Sequence, residues 1–165
     1  MNLYSLLNAI SDNELLMIAK LQYIQQILYT IIETKKDQIV KRTVKEVLSA
    51  SDIYINHDTF EKLIRYEYNT PTLHESISNS TFTSTCNATI HGYNLGEYQT
   101  KEDAEKVIDV AKEAIKSVRE KMEKDSIYQN LLSLQSQVED LSTSLDKEMK
   151  ARITRTILSN LEINS

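Results

Sequence analysis

At 165 residues, with two glycines, one proline and one cysteine, the chain is long enough to fill one core. It is short of the residues that tight turns, backbone-cradled phosphate loops, disulfide frameworks and cysteine-based zinc sites require. A net charge of −5 argues against a wholesale nucleic-acid coat; the first residues carry neither a basic stretch nor a long apolar core, and no window reaches eighteen uncharged apolar residues, so neither a secretory signal nor a membrane span is expected. A mostly helical protein in a reducing, cytoplasmic setting follows.

The chain opens on an apolar run, Leu3, Tyr4, Leu6, Leu7 and Ile10. Ser11-Asp12-Asn13-Glu14 then offers a capping box, in which the Ser11 hydroxyl accepts from the amide three residues on while Glu14 reaches back. Leu15, Ile18, Leu21, Ile24, Ile27, Leu28, Ile31 and Ile32 recur at helical spacing, and Leu16, Met17 and Tyr23 widen the stripe. So wide a stripe predicts a helix buried on more than one side. After Lys35-Lys36-Asp37 the pattern resumes with Ile39, Val40, Val44, Val47 and Leu48, as a continuation or as a new helix ending at 49–51.

Residues 51–100 hold both glycines, the proline, the cysteine, all three histidines and both phenylalanines. A differently built insert is expected there. Residues 52–56 alternate like a short strand, and Asp58-Thr59-Phe60-Glu61 reads as a cap leading into Leu63, Ile64 and Tyr68 before Asn69-Thr70-Pro71 stops the helix. Over 81–91, period two places Phe82, Cys86, Ala88 and Ile90 on one face, with the threonines, Asn87 and His91 on the other. A helical reading aligns Phe82, Cys86, Ile90 and Tyr93, but four threonines in nine residues favour strand. A strand needs partners, so a small sheet with 53–55 and part of 63–80 is implied.

From Thr100 the helical signal returns. Thr100-Lys101-Glu102-Asp103 caps a helix with the seam Ala104, Val107, Ile108, Ala111, Ala114, Ile115, Val118 and Met122. After Asp125-Ser126 a heptad-like series runs through Ile127, Leu131, Leu134, Val138, Leu141 and Leu145. It then shifts to steps of four through Met149, Ile153, Ile157 and Leu161, which predicts a stutter or break near 146–150. The expected fold is mainly α: a helical bundle from residues 1–50 and 101–165, with a small strand-containing α/β insert at 51–100.

Charge is uneven along the chain: residues 1–50 carry six basic and five acidic side chains, 51–100 two and six, and 101–165 eleven and thirteen. The basic group Lys35, Lys36, Lys41, Arg42 and Lys45 is the expected nucleic-acid-binding surface, with a weaker one at Lys147, Lys150, Arg152 and Arg155. Tyr66, Tyr68, Tyr93 and Tyr98 are the expected protein-interaction surface, since tyrosine buries area while keeping a polar tip. No phosphate loop, His-Glu-x-x-His or nucleophile elbow occurs in the sequence, so no catalytic residue, metal or cofactor is assigned. His57, His74 and His91, seventeen residues apart, read as solvent-facing polar residues, and Cys86 as a buried structural thiol.

Two resemblances bear on function. Asn87-Ala88-Thr89-Ile90-His91-Gly92-Tyr93 looks like the Arg-Asn-x-x-x-His motif of HEPN-domain ribonucleases, with the capped helix from Thr100 similar to that family's last core helix. Cys86 stands where that family has its catalytic arginine, which implies an inactive site without a guanidinium for the developing phosphate charge. The whole layout, helices over 3–48, a strand-bearing insert containing 81–96 and helices over 101–161, resembles the small subunit of archaeal type I-A CRISPR surveillance complexes (Cascade). That resemblance implies a non-enzymatic subunit of antiviral defence. It would pack against neighbouring protein subunits and help hold DNA, with the 35–45 basic group as the contact.

Overall fold

The computed structural model describes residues 11–163. In chain order these form α1 (Asp12–Ala50), α2 (His57–Glu67), β1 (Glu75–Ser80), β2 (Thr85–Ile90), β3 (Tyr93–Tyr98), α3 (Lys101–Lys124) and α4 (Ser126–Ile163). The protein is mainly α with a strand-containing segment between helices. The apolar run before Ser11 lies outside the described residues.

Two compact units divide the chain, residues 1–33 with 130–165 and residues 34–129. The boundary differs from the expected one at 50 and 101. It falls inside the long helices because the second part of α1 and all of α3 bury their apolar faces in the same unit as the sheet.

In the unit of residues 34–129, an antiparallel sheet of order β1-β2-β3 lies against α3 and α2. Small residues on α3 permit this approach: Ala104, Ala111 and Ala114 are fully buried, with Val107 and Val118 between and beyond them. Phe60, Leu63 and Ile64 of α2, Ala88 and Ile90 of β2 and Leu95 of β3 fill the space between, all without solvent exposure. The second part of α1 adds Val40, Val44 and Thr43, whose hydroxyl donates to the Ile39 carbonyl at 2.8 Å.

The β2–β3 hairpin closes through His91 and Gly92, both at positive φ (47° and 80°), with Ile90 paired to Tyr93. Two successive left-handed residues match the strand twist, as two-residue hairpin loops require. Residues 53–55, expected as a strand, are irregular; the Asn56 amide donates once to the Leu95 carbonyl at 3.0 Å. One partner of β2 is 75–80, within the expected 63–80, and the other, in place of 53–55, is 93–98, whose asparagine and glycine content hid it. Phe82, expected on the inner face of the strand, sits in the β1–β2 turn and is 99% exposed.

Helix starts follow side-chain oxygens. Ser11 Oγ accepts from the Glu14 amide at 3.2 Å and the Ser11 amide donates back to the Glu14 carboxylate, as expected, while Arg152 binds that carboxylate as well. Thr100 Oγ1 accepts from the Asp103 amide at 3.1 Å. For α2 the cap is Asn56, whose Oδ1 accepts from Thr59 N at 3.1 Å, two residues ahead of the expected Asp58. Neither long helix is interrupted: α1 continues through Lys35-Lys36-Asp37, and α4 through 146–150.

In the other unit, the first part of α1 runs antiparallel to α4. Arg152 grips the Glu14 carboxylate with both guanidinium NH2 groups. The shielded positions of α1 are 14, 18, 21, 25, 28 and 32, and those of α4 include 131, 135, 138, 142, 145, 149 and 152. These steps of three and four are a heptad seam, with Leu21, Leu28, Ile32 and Val138 its most buried members. Of the heptad-like series in α4, Leu131, Val138 and Leu145 join the seam, whereas Leu134 and Leu141 stand outside it. Likewise, the wide α1 stripe is not buried on two sides. Leu15, Leu16, Met17, Tyr23, Ile24, Ile27 and Ile31 are each 41–65% exposed. By length and composition alone, α1 is apolar enough to cross a bilayer.

Tyr98 was expected at a surface and is a core residue, 7% exposed. Its hydroxyl donates to the Tyr54 carbonyl at 2.7 Å, and burial followed by the neighbouring Tyr54 pushes its pKa up to about 12. The buried form is the neutral phenol. Its stabilising contribution is therefore full below pH about 10 and lost as pH rises toward 12, a total on the order of 2–3 kcal/mol. Tyr98→Phe is expected to cost about 1 kcal/mol at pH 7. It should also flatten the fall in stability between pH 10 and 12, measured by denaturant titration at stepped pH; equal slopes for both proteins would contradict this placement.

Candidate functional site

The basic group of α1 does not act as one surface. Lys35 and Arg42, two helical turns apart, line a groove of about 480 Å³ between α1 and the end of α3, together with Lys121 and Lys124. Three carboxylates, Glu46, Glu120 and Asp125, line the same groove. Lys35 Nζ lies 3.2 Å from Asp125, and Lys121 Nζ lies 2.7 Å from Glu46 and 3.1 Å from Thr43 Oγ1. The Tyr128 amide and then Lys35 hold the Asp125 carboxyl below its ordinary range, and the bond from Lys121 does the same for Glu46. Two of the four cations are thus neutralised within the groove.

Lys41 turns to Asp37 at 3.2 Å, where Arg65 also binds. Lys36 sits 5.6 Å from the centre of the Tyr68 ring, a cation–π contact. Arg42 and Lys45 remain exposed and, with Lys124 on α3, make no salt bridge among the described residues, although the Arg42 charge also acts on Glu46 one turn on. The cationic margin is therefore Arg42, Lys45 and Lys124. Lys124 was missed because the lysines ending α3 read simply as partners of the helix dipole. In the second basic group, Lys150 pairs with Asp146 at 2.8 Å and Arg152 with Glu14, so both are occupied.

Among the tyrosines, Tyr66 is 67% exposed. Tyr68 and Tyr93 are half-buried, and Tyr98 is interior. The four do not make one contact surface.

His74 and His91, separated in sequence, are brought edge to face with ring centres 5.2 Å apart, because β1 enters the sheet beside the β2–β3 turn. The His91 amide donates to the His74 carbonyl at 2.8 Å, and Glu67 lies 4.0 Å from His91 Nε2. His57 stands apart, 3.8 Å from Glu61. Among the described residues no three His, Cys, Asp or Glu side chains form a metal-holding group. Cys86 is half-buried and donates to Asn79 Oδ1 at 3.3 Å across the β1–β2 pair. The segment resembling the ribonuclease motif lies on β2, its turn and the start of β3, with His91 at positive φ, in place of the helix that resemblance requires.

No protein-family model, curated protein or solved structure matches the chain.

Proposed function

We propose that the chain is a non-enzymatic, cytoplasmic helical subunit that packs within a larger nucleoprotein assembly, as its layout's resemblance to the small subunit of archaeal CRISPR interference complexes implies. The observation that carries the reading is the pairing, on one chain, of a broad exposed apolar helical surface in the 1–33/130–165 unit with a cationic margin, Arg42, Lys45 and Lys124, in the other. Apolar helical surface of this kind suits packing against protein neighbours. Three exposed cations suit backbone phosphates, and the three carboxylates of the adjoining groove keep such binding weak and dependent on the assembly. Tyr66 is the remaining exposed tyrosine available for a protein contact in the middle of the chain.

Fluorescence anisotropy with single-stranded and duplex DNA across a salt series tests the nucleic-acid part. Arg42→Ala/Lys45→Ala is expected to weaken binding several-fold and to reduce the log–log salt slope by about 2, one for each lost phosphate contact. Lys41→Ala, whose ammonium is already paired with Asp37, serves as the control and should bind as the parent does. Equal affinity and slope for the double variant would remove the margin from the proposal.

A further inference from the structure

Six of the exposed apolar residues of the paired long helices fall on one face, while Leu15, Leu16, Tyr23 and Tyr29 of α1 lie elsewhere. With the heptad seam at 14, 18, 21, 25, 28 and 32 of α1, the flanking positions of one side are Met17, Ile24 and Ile31, spaced by seven, with Ile27 next to them. With the seam at 131, 135, 138, 142, 145 and 149 of α4, the equivalent flanking positions are Leu134, Leu141 and Glu148, also spaced by seven, with Glu148 at the end of the series beside Met17. In an antiparallel helix pair, equivalent flanking positions of the two helices lie on the same side of the seam. The Glu14–Arg152 pair fixes the register, so that Ile24 stands beside Leu141 and Ile31 beside Leu134. Met17, Ile24, Ile27, Ile31, Leu134 and Leu141 thus form one continuous patch, each 41–49% exposed.

The opposite face is different in kind. There α1 presents Gln22 and Gln26 and α4 presents Glu139, Asp146 and Lys150, with Leu15 and Tyr29 the apolar exceptions. One side of the pair is wet and charged, and the other is uncharged at its centre.

We propose that this apolar face docks on the same face of a second copy of the chain, closing two helix pairs into a four-helix arrangement. Area supports that occupant. Six large side chains near half exposure leave on the order of 500 Å² of apolar surface, the amount expected in a standard-size interface of about 800 Å² per partner if it is about 65% apolar. Composition supports it as well: the centre of the patch carries no charge that a differently charged partner would be needed to match, and a two-fold contact places isoleucine and leucine against isoleucine and leucine. A bilayer spanned by the helix pair is the less suitable cover, because α4 would carry Glu139, Asp140, Asp146 and Glu148 into it alongside α1. The proposal requires no nucleic acid and stands or falls apart from the cationic margin.

The test uses the full chain. Light scattering in solution is expected to give a mass about twice the 19.0 kDa of one chain at micromolar concentration, and Ile24→Glu/Leu141→Glu is expected to return it to one chain mass with its helical circular dichroism kept. Should that variant lose its helices, disulfide trapping decides. In a Cys86→Ser background, Ile27→Cys should cross-link to a dimer under mild oxidation, whereas Gln22→Cys on the opposite face should not. A parent that stays at one chain mass over the whole range, equal cross-linking at both positions, or flotation of the parent with phosphatidylcholine vesicles in place of dimer formation would overturn the assignment.

Discussion

Replacing Phe60 by Ala is expected to remove about 3–5 kcal/mol of unfolding free energy from the 34–129 unit, the range found when a fully buried phenylalanine is truncated. Phe60 has no solvent exposure and is the largest of the fully buried side chains. It projects from an eleven-residue helix, α2, which packs on both α3 and β3. An isolated helix of that length is marginal in water, so α2 is held by its buried face and not by its own propensity. Truncating Phe60 therefore both opens a cavity and loosens the helix. A domain of this size holds about 5–15 kcal/mol, so the loss is a large part of the whole. Denaturant titration with hydrogen exchange on β2 and α3 measures it. Phe82→Ala is the internal control: with that ring 99% exposed, the change should stay within about 0.5 kcal/mol. Similar losses for the two phenylalanines would contradict the placement of the core.

Gly96→Ala is expected to cost about 2–3 kcal/mol by a different route. Gly96 lies at φ +153°, beside the irregularity where the β2–β3 register shifts after Ala88. A β-carbon there would stand 2.6 Å from the Tyr98 hydroxyl oxygen and 2.9 Å from its ring carbon. The hydroxyl is not free to yield, because it is tied to the carbonyls of Tyr54 and Leu95. Glycine thus serves here for close approach as well as for backbone freedom. Since the tether is the obstacle, the cost of Gly96→Ala should fall in a Tyr98→Phe background, where the ring can shift. A double-mutant cycle by denaturant titration reads that coupling. Additive costs would show that Tyr98 is not what the new methyl group meets.

The parts of this fold written in side-chain periodicity were legible in the sequence. The seam of α3 appears residue for residue, since Ala104, Val107, Ile108, Ala111, Ala114, Ile115, Val118 and Met122 are all buried. The threonine-rich segment is a strand because its branched side chains suit a half-buried sheet, although only 85–90 are regular and Phe82 lies beyond its end. What stayed hidden depends on partners distant in sequence. Glu14 carries the signature of a capping box, but nothing near it in sequence announces that a guanidinium 138 positions away also binds its carboxylate. Lys41 counts as positive charge in any tally, yet Asp37 one turn earlier takes it up. Tyr98 resembles the exposed Tyr66 in composition, and only the sheet register decides that one points inward. The apolar stripe of α1 was visible but its cover was not, because hydropathy reports what a surface avoids and not what it meets.

That stripe is where the account is most exposed to measurement. Hydrogen exchange of the full chain at two concentrations far apart, followed over residues 15–32 and 130–145, tests it most directly. Protection in these segments is expected to rise with concentration, while that of β2 and α3 stays constant. Protection independent of concentration throughout would mean that no second copy covers the face.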